Sequence, residues 1–162
     1  MANIFEQECH AFLSNLFPIC MRLPDIAYNR YGGRQTSKRP WDFYGCTEDG
    51  EFWVAEAKSV RAKRFPKVNL RPEQREALHK VEENGGHAFI LINWRIRQPP
   101  AGYAVCVPFN IYQRCENGLE LKSVAPIDIP HMWFLKRVSG GWDFADFDPK
   151  DYEEFHLWST VK

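Results

Sequence analysis

The chain has 162 residues, of which 44% are hydrophobic and 15% aromatic, and this composition predicts one globular domain with a substantial core. It contains no apolar run of about 18 residues and no basic-then-apolar leader, so we expect a cytoplasmic protein without a membrane partner. The five cysteines are an odd number without C-x-x-C spacing, which argues against a disulfide framework and a structural zinc site.

The charges are balanced overall but unevenly distributed along the chain. Lys and Arg number 21, as do Asp and Glu, and a net charge of zero by itself argues against a nucleic-acid partner. Residues 30–75, however, contain eleven basic and six acidic side chains, whereas residues 141–162 contain two lysines and six acids. The neutral total therefore conceals a basic region of the kind that a phosphate backbone attracts.

The first half of the chain predicts one helix and a hairpin. Apolar residues recur at helical spacing over residues 3–19, which predicts a helix. Residues 28–40 are basic, contain two glycines and are predicted to form a loop. Strand patterns over 41–46 and 51–60 flank T-E-D-G, and this arrangement is typical of an antiparallel hairpin.

The second half begins with a helix and a central strand. A helix is predicted to begin near Pro72, because proline is favoured at the first helical position, and to stop at Gly85-Gly86. The apolar run 87–94 is typical of a strand that is covered on both faces. Weaker signals predict a strand at 103–108, a helix near 110–116, a strand around 131–135 and an acidic helix that opens at 148–149. This α-β-β-α-β order predicts an α/β fold, a single domain with a central mixed β-sheet flanked by helices.

The strand motif W-V-A-E-A-K-S-V holds two charged residues on one face. Glu56 and Lys58 are two residues apart and therefore project from the same side, about 7 Å from each other. If residues 48–50 form a three-residue loop with a left-handed glycine, Asp42 lies directly opposite Glu56. A two-residue Asp-Gly loop would instead pair Asp42 with Ala57 and turn it away.

The first register would create a site for a hard divalent cation. Two opposed carboxylates, Asp42 and Glu56, repel each other unless a cation lies between them. Mg²⁺ accepts one or two carboxylates with water and phosphate oxygens, and the Ala57 carbonyl is within reach. Lys58 could then hold or deprotonate a water that attacks a phosphodiester. The simpler alternative is an exposed ion pair of little energetic value, but the apolar neighbours from Trp53 onward predict a buried strand.

These residues resemble the PD-(D/E)xK nuclease signature, formed here by Pro40, Asp42, Glu56 and Lys58. Over residues 3–95 the wider layout is similar to Holliday junction resolvases of the archaeal and RecU types. The similarity is carried by F-E-Q-E-C-H-A-F-L, Q-T-S-K-R, P-E-Q-R-E-A-L and G-G-H-A-F-I-L-I-N-W. It implies a restriction-endonuclease-like core at about 3–108, with C-terminal additions at 109–162, in a single nuclease domain 1–162.

The resemblance also implies a role for each of five residues. Glu6 would be an acid supplied by the first helix, and Asp42 and Glu56 would be the metal-binding acids. Lys58 would orient the water, and Gln74 would be a neighbour in the active site. Glu8 is an alternative to Glu6 because both flank the apolar stripe of the first helix. Glu6 could instead cap that helix, and Gln74 could be an exposed residue in a first helical turn.

Two basic loops are the predicted DNA-binding surface. The residues concerned are Arg34, Ser37, Lys38, Arg39, Arg61, Lys63, Arg64 and Lys67. The resemblance implies a Mg²⁺-dependent endonuclease, with Mn²⁺ as a substitute, that resolves four-way junctions by paired symmetric nicks. A junction has two-fold symmetry, so a homodimer with two sites is expected. The alternatives are a nuclease of the same superfamily that cuts ordinary duplex DNA, and a non-catalytic DNA-binding protein.

Overall fold

A computed structural model of the chain describes residues 4–24, 39–95, 103–118, 122–125, 128–129, 132–139 and 141–144. Its helices are α1 (Ile4–Leu16), α2 (Pro72–Glu83) and α3 (Phe109–Gly118), and a short 3-10 turn spans Lys67–Asn69. Its strands are β1 (Ile19–Arg22), β2 (Phe43–Cys46), β3 (Phe52–Val60), β4 (Phe65–Pro66), β5 (His87–Trp94), β6 (Tyr103–Pro108), β7 (Ser123–Val124), β8 (Trp133–Val138) and β9 (Gly141–Phe144).

Seven strands form one mixed sheet in the order β1-β2-β3-β5-β6-β8-β9. Within this sheet β3 and β5 run parallel, and the other neighbouring strands are antiparallel. The short strands β4 and β7 pair separately. The predicted fold class, a central mixed sheet flanked by helices, is confirmed, and the α-β-β-α-β order is retained with β1 and β4 as additional strands.

The sheet separates two apolar layers. Helix α1 packs on one face against Trp53, Ala55 and Leu91, whereas α2 and α3 cover the other face at Val54 and Ile90. These five side chains are completely buried. Because successive strand residues point to opposite faces, a run such as 53–55 is buried only when both faces are covered, as the continuous apolar pattern predicted.

The predicted end of the first helix is wrong. The first helix was expected to continue to residue 19, but it ends at Leu16, and residues 19–22 form the edge strand β1. The cause is Pro18, because a proline disfavours helical backbone at the residue before it. Asn3, where the first helix was expected to begin, lies outside the described residues.

Most of the other predicted elements agree closely with expectation, but β8 continues to Val138 instead of ending near 135, and β7 and β9 were not predicted. Strands β5 and β6 have the predicted limits, whereas β2 and β8 each begin two residues later than predicted. The acidic helix expected from 148 onward, and all but the last two residues of the basic loop 28–40, lie outside the described residues. No helix in the described part of the chain has the length and apolar character needed to cross a membrane.

Candidate active site

The β2–β3 hairpin has the register that places Asp42 opposite Glu56. Phe43 pairs with Ala55 and Cys46 with Phe52, and one step beyond the second pair the Thr47 N–H donates to the Glu51 carbonyl over 2.9 Å. The intervening loop 48–50 ends in Gly50, whose φ of 82° lies in the left-handed region that glycine adopts readily. The three-residue loop is therefore confirmed, and the two-residue alternative is wrong.

The Asp42 side chain is held in place at the start of β2. One carboxylate oxygen, Oδ2, accepts the Ala57 N–H over 3.0 Å, and the Asp42 N–H donates to the Ala55 carbonyl over 3.1 Å. The other oxygen, Oδ1, lies 3.8 Å from the Arg39 guanidinium. Only 8% of Asp42 is exposed, so the carboxylate is fixed against β3 instead of being a surface acid.

Glu56 is the most buried acid of this constellation, at 2% exposure. Its Oε1 accepts hydrogen bonds from Lys58 Nζ, over 2.7 Å, and from Gln74 Nε2. Its Oε2 is buried and has no hydrogen-bond partner among the residues that the structure describes. Burial, and next the charge of Asp42, raise the pKa of Glu56 to about 7, although Lys58 and Gln74 oppose the shift.

Gln74 is placed in the site by the start of α2. Pro72 occupies the first helical turn, where its missing N–H costs nothing. The Gln74 Oε1 accepts the Arg71 N–H over 3.3 Å and Lys58 Nζ over 3.2 Å. Gln74 is 2% exposed, so the alternative of an exposed first-turn residue is wrong. The amide connects the helix end to both Lys58 and Glu56.

The two acids of α1 point to different neighbours. Glu6 Oε2 lies 2.8 Å from Nη2 of Arg22, the last residue of β1. The next residue of the chain, Leu23, donates its N–H to the Asp42 carbonyl over 2.8 Å. Glu8 instead accepts hydrogen bonds from Arg137 and from Trp142 Nε1 on the β8–β9 hairpin. Of the two acids, Glu6 is the one tied to the segment beside Asp42, and Arg22, which makes this link, was not foreseen.

The acidic pair suits a hard cation with few protein ligands. Among the described residues, no three His, Cys, Asp or Glu side chains gather closely enough to hold a metal ion. Asp42 and Glu56 are instead a two-carboxylate set, the number that Mg²⁺ uses when water and phosphate oxygens complete its shell. The unpartnered Glu56 Oε2 is a buried ligand atom without a competing donor. The residues present therefore fit a bound Mg²⁺.

The predicted DNA-binding residues are in three different situations. Arg34, Ser37 and Lys38 lie outside the described residues. Arg61 and Lys63 are exposed between β3 and β4. Arg39 donates to the Leu23 carbonyl over 3.1 Å in addition to its contact with Asp42.

Arg64 and Lys67 have partners within the protein. The Arg64 guanidinium donates to Asp128 over 2.6 Å, and to the carbonyl and hydroxyl of Ser123 over 2.7 and 2.9 Å. Lys67 Nζ lies 3.5 Å from the Glu116 carboxylate, but its side chain is 46% exposed. Arg64 thus helps to join β4 to the segment that contains β7, whereas Lys67 retains access to solvent.

Comparison with known proteins identifies a family and a distant structural likeness. The family model described as Recombination protein U (RecU) matches residues 26–132, well over half of the 162 residues. No curated protein sequence matches the chain. A solved structure of Hjc, a Holliday junction resolvase from the archaeal hyperthermophile Archaeoglobus fulgidus, shares 15% sequence identity with it. That match has a TM-score of 0.41 and covers 68% of this chain and 77% of the other.

Proposed function

Since the chain belongs to the Recombination protein U family of Holliday junction resolvases, we propose that it is an endonuclease that uses a divalent metal to cut four-way DNA junctions. The observation that supports this proposal is the pairing of Asp42 with Glu56, beside Lys58 and with one buried carboxylate oxygen unpartnered. Such a pair is costly without a cation, because two nearby carboxylates disfavour each other's ionisation.

Asp42 and Glu56 would hold the metal through their carboxylates, with the Ala57 carbonyl as a further ligand. A bound Mg²⁺ would supply Lewis acidity at the scissile phosphate, and Mn²⁺ would substitute for it. The hydrogen bond from the Ala57 N–H fixes the Asp42 carboxylate for this role. Lys58 and Gln74 hold Glu56 Oε1, which leaves Oε2 available for the cation.

Lys58 would orient the attacking water, and its deprotonated amine, not the ammonium, would take up the proton of that water. Its ammonium lies 2.7 Å from Glu56 Oε1 and 3.2 Å from Gln74 Oε1, so it is directed at the acidic pair. Gln74 keeps the two side chains in this arrangement. Glu6 would contribute a third negative charge from α1, once its carboxylate leaves Arg22.

The remaining parts of the proposal concern the DNA and the assembly. Paired cuts across a two-fold symmetric junction need two sites, so we infer a homodimer. The basic residues of the first loop, together with Arg61, Lys63 and Lys67 of the second, would contact the phosphates of the arms. We further propose that residues 1–162 form a single nuclease domain and that the protein acts on DNA in the cytoplasm.

The test is cleavage of a synthetic four-way junction and a linear duplex of matching sequence, with Mg²⁺ or with EDTA. Asp42→Asn removes one proposed metal ligand with little change in shape. Glu76→Gln is the matched control, because this acid lies on the exposed side of α2 and pairs with Lys80. We expect paired junction nicks that require Mg²⁺ and Asp42, persist in the control and are absent from the duplex.

Two results would replace the proposal. Equal cutting of the duplex would show a general endonuclease with the same site. Junction binding without cleavage at any metal concentration would show that the acidic pair has a structural role.

A further inference from the structure

A second charged cluster joins α2 to α3 and includes neither of the two proposed metal-binding acids. Its centre is Glu116 of α3, which is 1% exposed. Both of its carboxylate oxygens accept hydrogen bonds from the Arg75 guanidinium, and Oε1 also accepts the Tyr112 hydroxyl over 3.0 Å. A two-pronged contact of this kind fixes orientation as well as distance.

Arg75 also holds the chain segment that precedes α2. Its Nε donates to the Leu70 carbonyl over 3.0 Å, and its Nη2 donates to the Lys67 carbonyl over 2.8 Å. The guanidinium lies 5.8 Å from the centre of the Tyr112 ring. One side chain thereby ties the 3-10 turn at 67–69, the first turn of α2 and the end of α3 to each other.

This first turn of α2 is also the part of the helix that enters the candidate active site. Gln74, the neighbour of Arg75 in the chain, donates to Glu56 and accepts from Lys58. Adjacent helical residues point in directions about 100° apart. A rotation or shift of this turn that relaxed Arg75 would therefore also move the Gln74 amide away from Glu56.

We propose that the Arg75–Glu116 ion pair is a positioning clamp that holds Gln74, and through it Glu56 and Lys58, in the arrangement needed for metal binding and cleavage. This inference rests on the proposed function for its catalytic consequence. Neither residue contacts the acidic pair, so both are positioning residues rather than catalytic ones. Ligand orientation by residues outside the first shell typically changes metal affinity or activity about 10- to 100-fold.

The test combines Glu116→Gln, Gln74→Ala and the double variant, at a temperature where each is fully folded. The readouts are kcat and KM for junction cleavage, and Mn²⁺ affinity by electron paramagnetic resonance. Arg75→Lys tests the same ion pair from its other partner, because lysine retains the charge but cannot reach both Glu116 and the two carbonyls. Glu82→Ala is the matched control, since Glu82 joins α2 to α3 at the opposite end of α2, through the Asn110 N–H.

We expect Glu116→Gln and Arg75→Lys to lower kcat and Mn²⁺ affinity by about tenfold or more, with KM for the junction unchanged. The effect of Glu116→Gln should largely disappear in the Gln74→Ala background, because both changes act through the same amide. Unchanged kcat and Mn²⁺ affinity, additive effects, or an equal loss in Glu82→Ala would overturn the clamp. If the wild-type protein binds Mn²⁺ but cuts no DNA, the proposed function is wrong. The positioning clamp is then tested by the Mn²⁺ affinities of the variants alone.

Discussion

Glu56 combines deep burial with an incomplete set of partners. Lys58 and Gln74 satisfy one carboxylate oxygen, while the other is buried and unpartnered. An unpaired buried oxygen is expensive, and the nearby charge of Asp42 adds to that cost. The same features would favour a bound cation, so we expect cation binding to offset this cost.

The stability of the metal-free protein should therefore fall as the pH rises. The pKa of Glu56 is raised from 4.5 to about 7 in the folded protein, so between these values the folded state binds more protons than the unfolded state. The associated stability is fully present below pH 4.5 and is lost as the pH passes through 7. We expect a loss on the order of 1–3 kcal/mol.

Thermal unfolding in EDTA across this pH range measures the effect. Glu56→Gln should remove this component of the pH dependence and raise stability at pH 8. Addition of Mg²⁺ to the wild type at pH 8 should recover stability, because a ligand that binds only the folded state stabilises it. A pH profile identical in wild type and Glu56→Gln would contradict the assignment of this carboxyl group.

Lys58→Met keeps the length of the side chain but removes its ammonium. We expect the cleavage rate to fall by about 10²- to 10⁴-fold, the usual contribution of a positioned acid–base group. Junction affinity in Ca²⁺ should be unchanged, because the ammonium faces Glu56 and Gln74 rather than the exposed basic segment. Lys80→Met on the exposed side of α2 serves as the control, and equal rates for the two variants would remove Lys58 from the mechanism.

At the scale of elements, the close approach of β1 to β2 carries Arg22 to the site. Gly45 of β2 pairs with Cys20 of β1, and a Cβ at Gly45 would lie 1.8 Å from the Ile19 carbonyl oxygen and 2.7 Å from the Trp53 ring. Neither neighbour can yield easily, because one is backbone and the other is completely buried. Only glycine therefore allows β1 to pair here.

Gly45→Ala should destabilise the protein by at least about 2 kcal/mol, the usual scale of overpacking. Gly118→Ala at the end of α3 is the control, because its Cβ would meet nothing within 4 Å. Urea denaturation compares the two variants. A Gly45→Ala protein as stable as Gly118→Ala would contradict the tight β1–β2 contact.

Much of the architecture could be predicted from the sequence because its signals are local. The apolar runs 53–55 and 87–94 indicate strands that are buried on both faces. The glycine at 50 favours the three-residue loop, and this loop sets the hairpin register that places Asp42 opposite Glu56. Edge strand β1 could not be read in the same way, because its outward residues Ile19 and Met21 are apolar and exposed. Such residues do not produce the alternation of a half-buried strand.

The residues that support the site were harder to foresee. Arg75 and Glu116 are separated by 41 positions, and each has the appearance of an ordinary charged residue on a helix surface. The same holds for Glu6 and Arg22, which are 16 positions apart. Contacts of this kind depend on how elements pack, and no local pattern in the sequence reports them.

At the scale of the whole molecule, the basic segment between β3 and β4 provides a way to measure DNA contact. Arg61→Ala combined with Lys63→Ala removes two exposed cations next to the strand that carries Glu56 and Lys58. If both contact phosphates, junction affinity should fall, and the slope of log affinity against log salt should decrease by about 1 for each residue. Lys80→Ala is the control, and an unchanged slope in the double variant would place the DNA elsewhere.

If Asp42 and Glu56 jointly hold a catalytic metal ion, a crystal structure with Mn²⁺ should show it. An anomalous difference map shows the ion without assumptions about activity. We predict one peak beside the Asp42 and Glu56 carboxylates, and its loss in Asp42→Asn. No peak at this position in a crystal of protein that cleaves junctions with Mn²⁺ would rule out a metal site at these two acids.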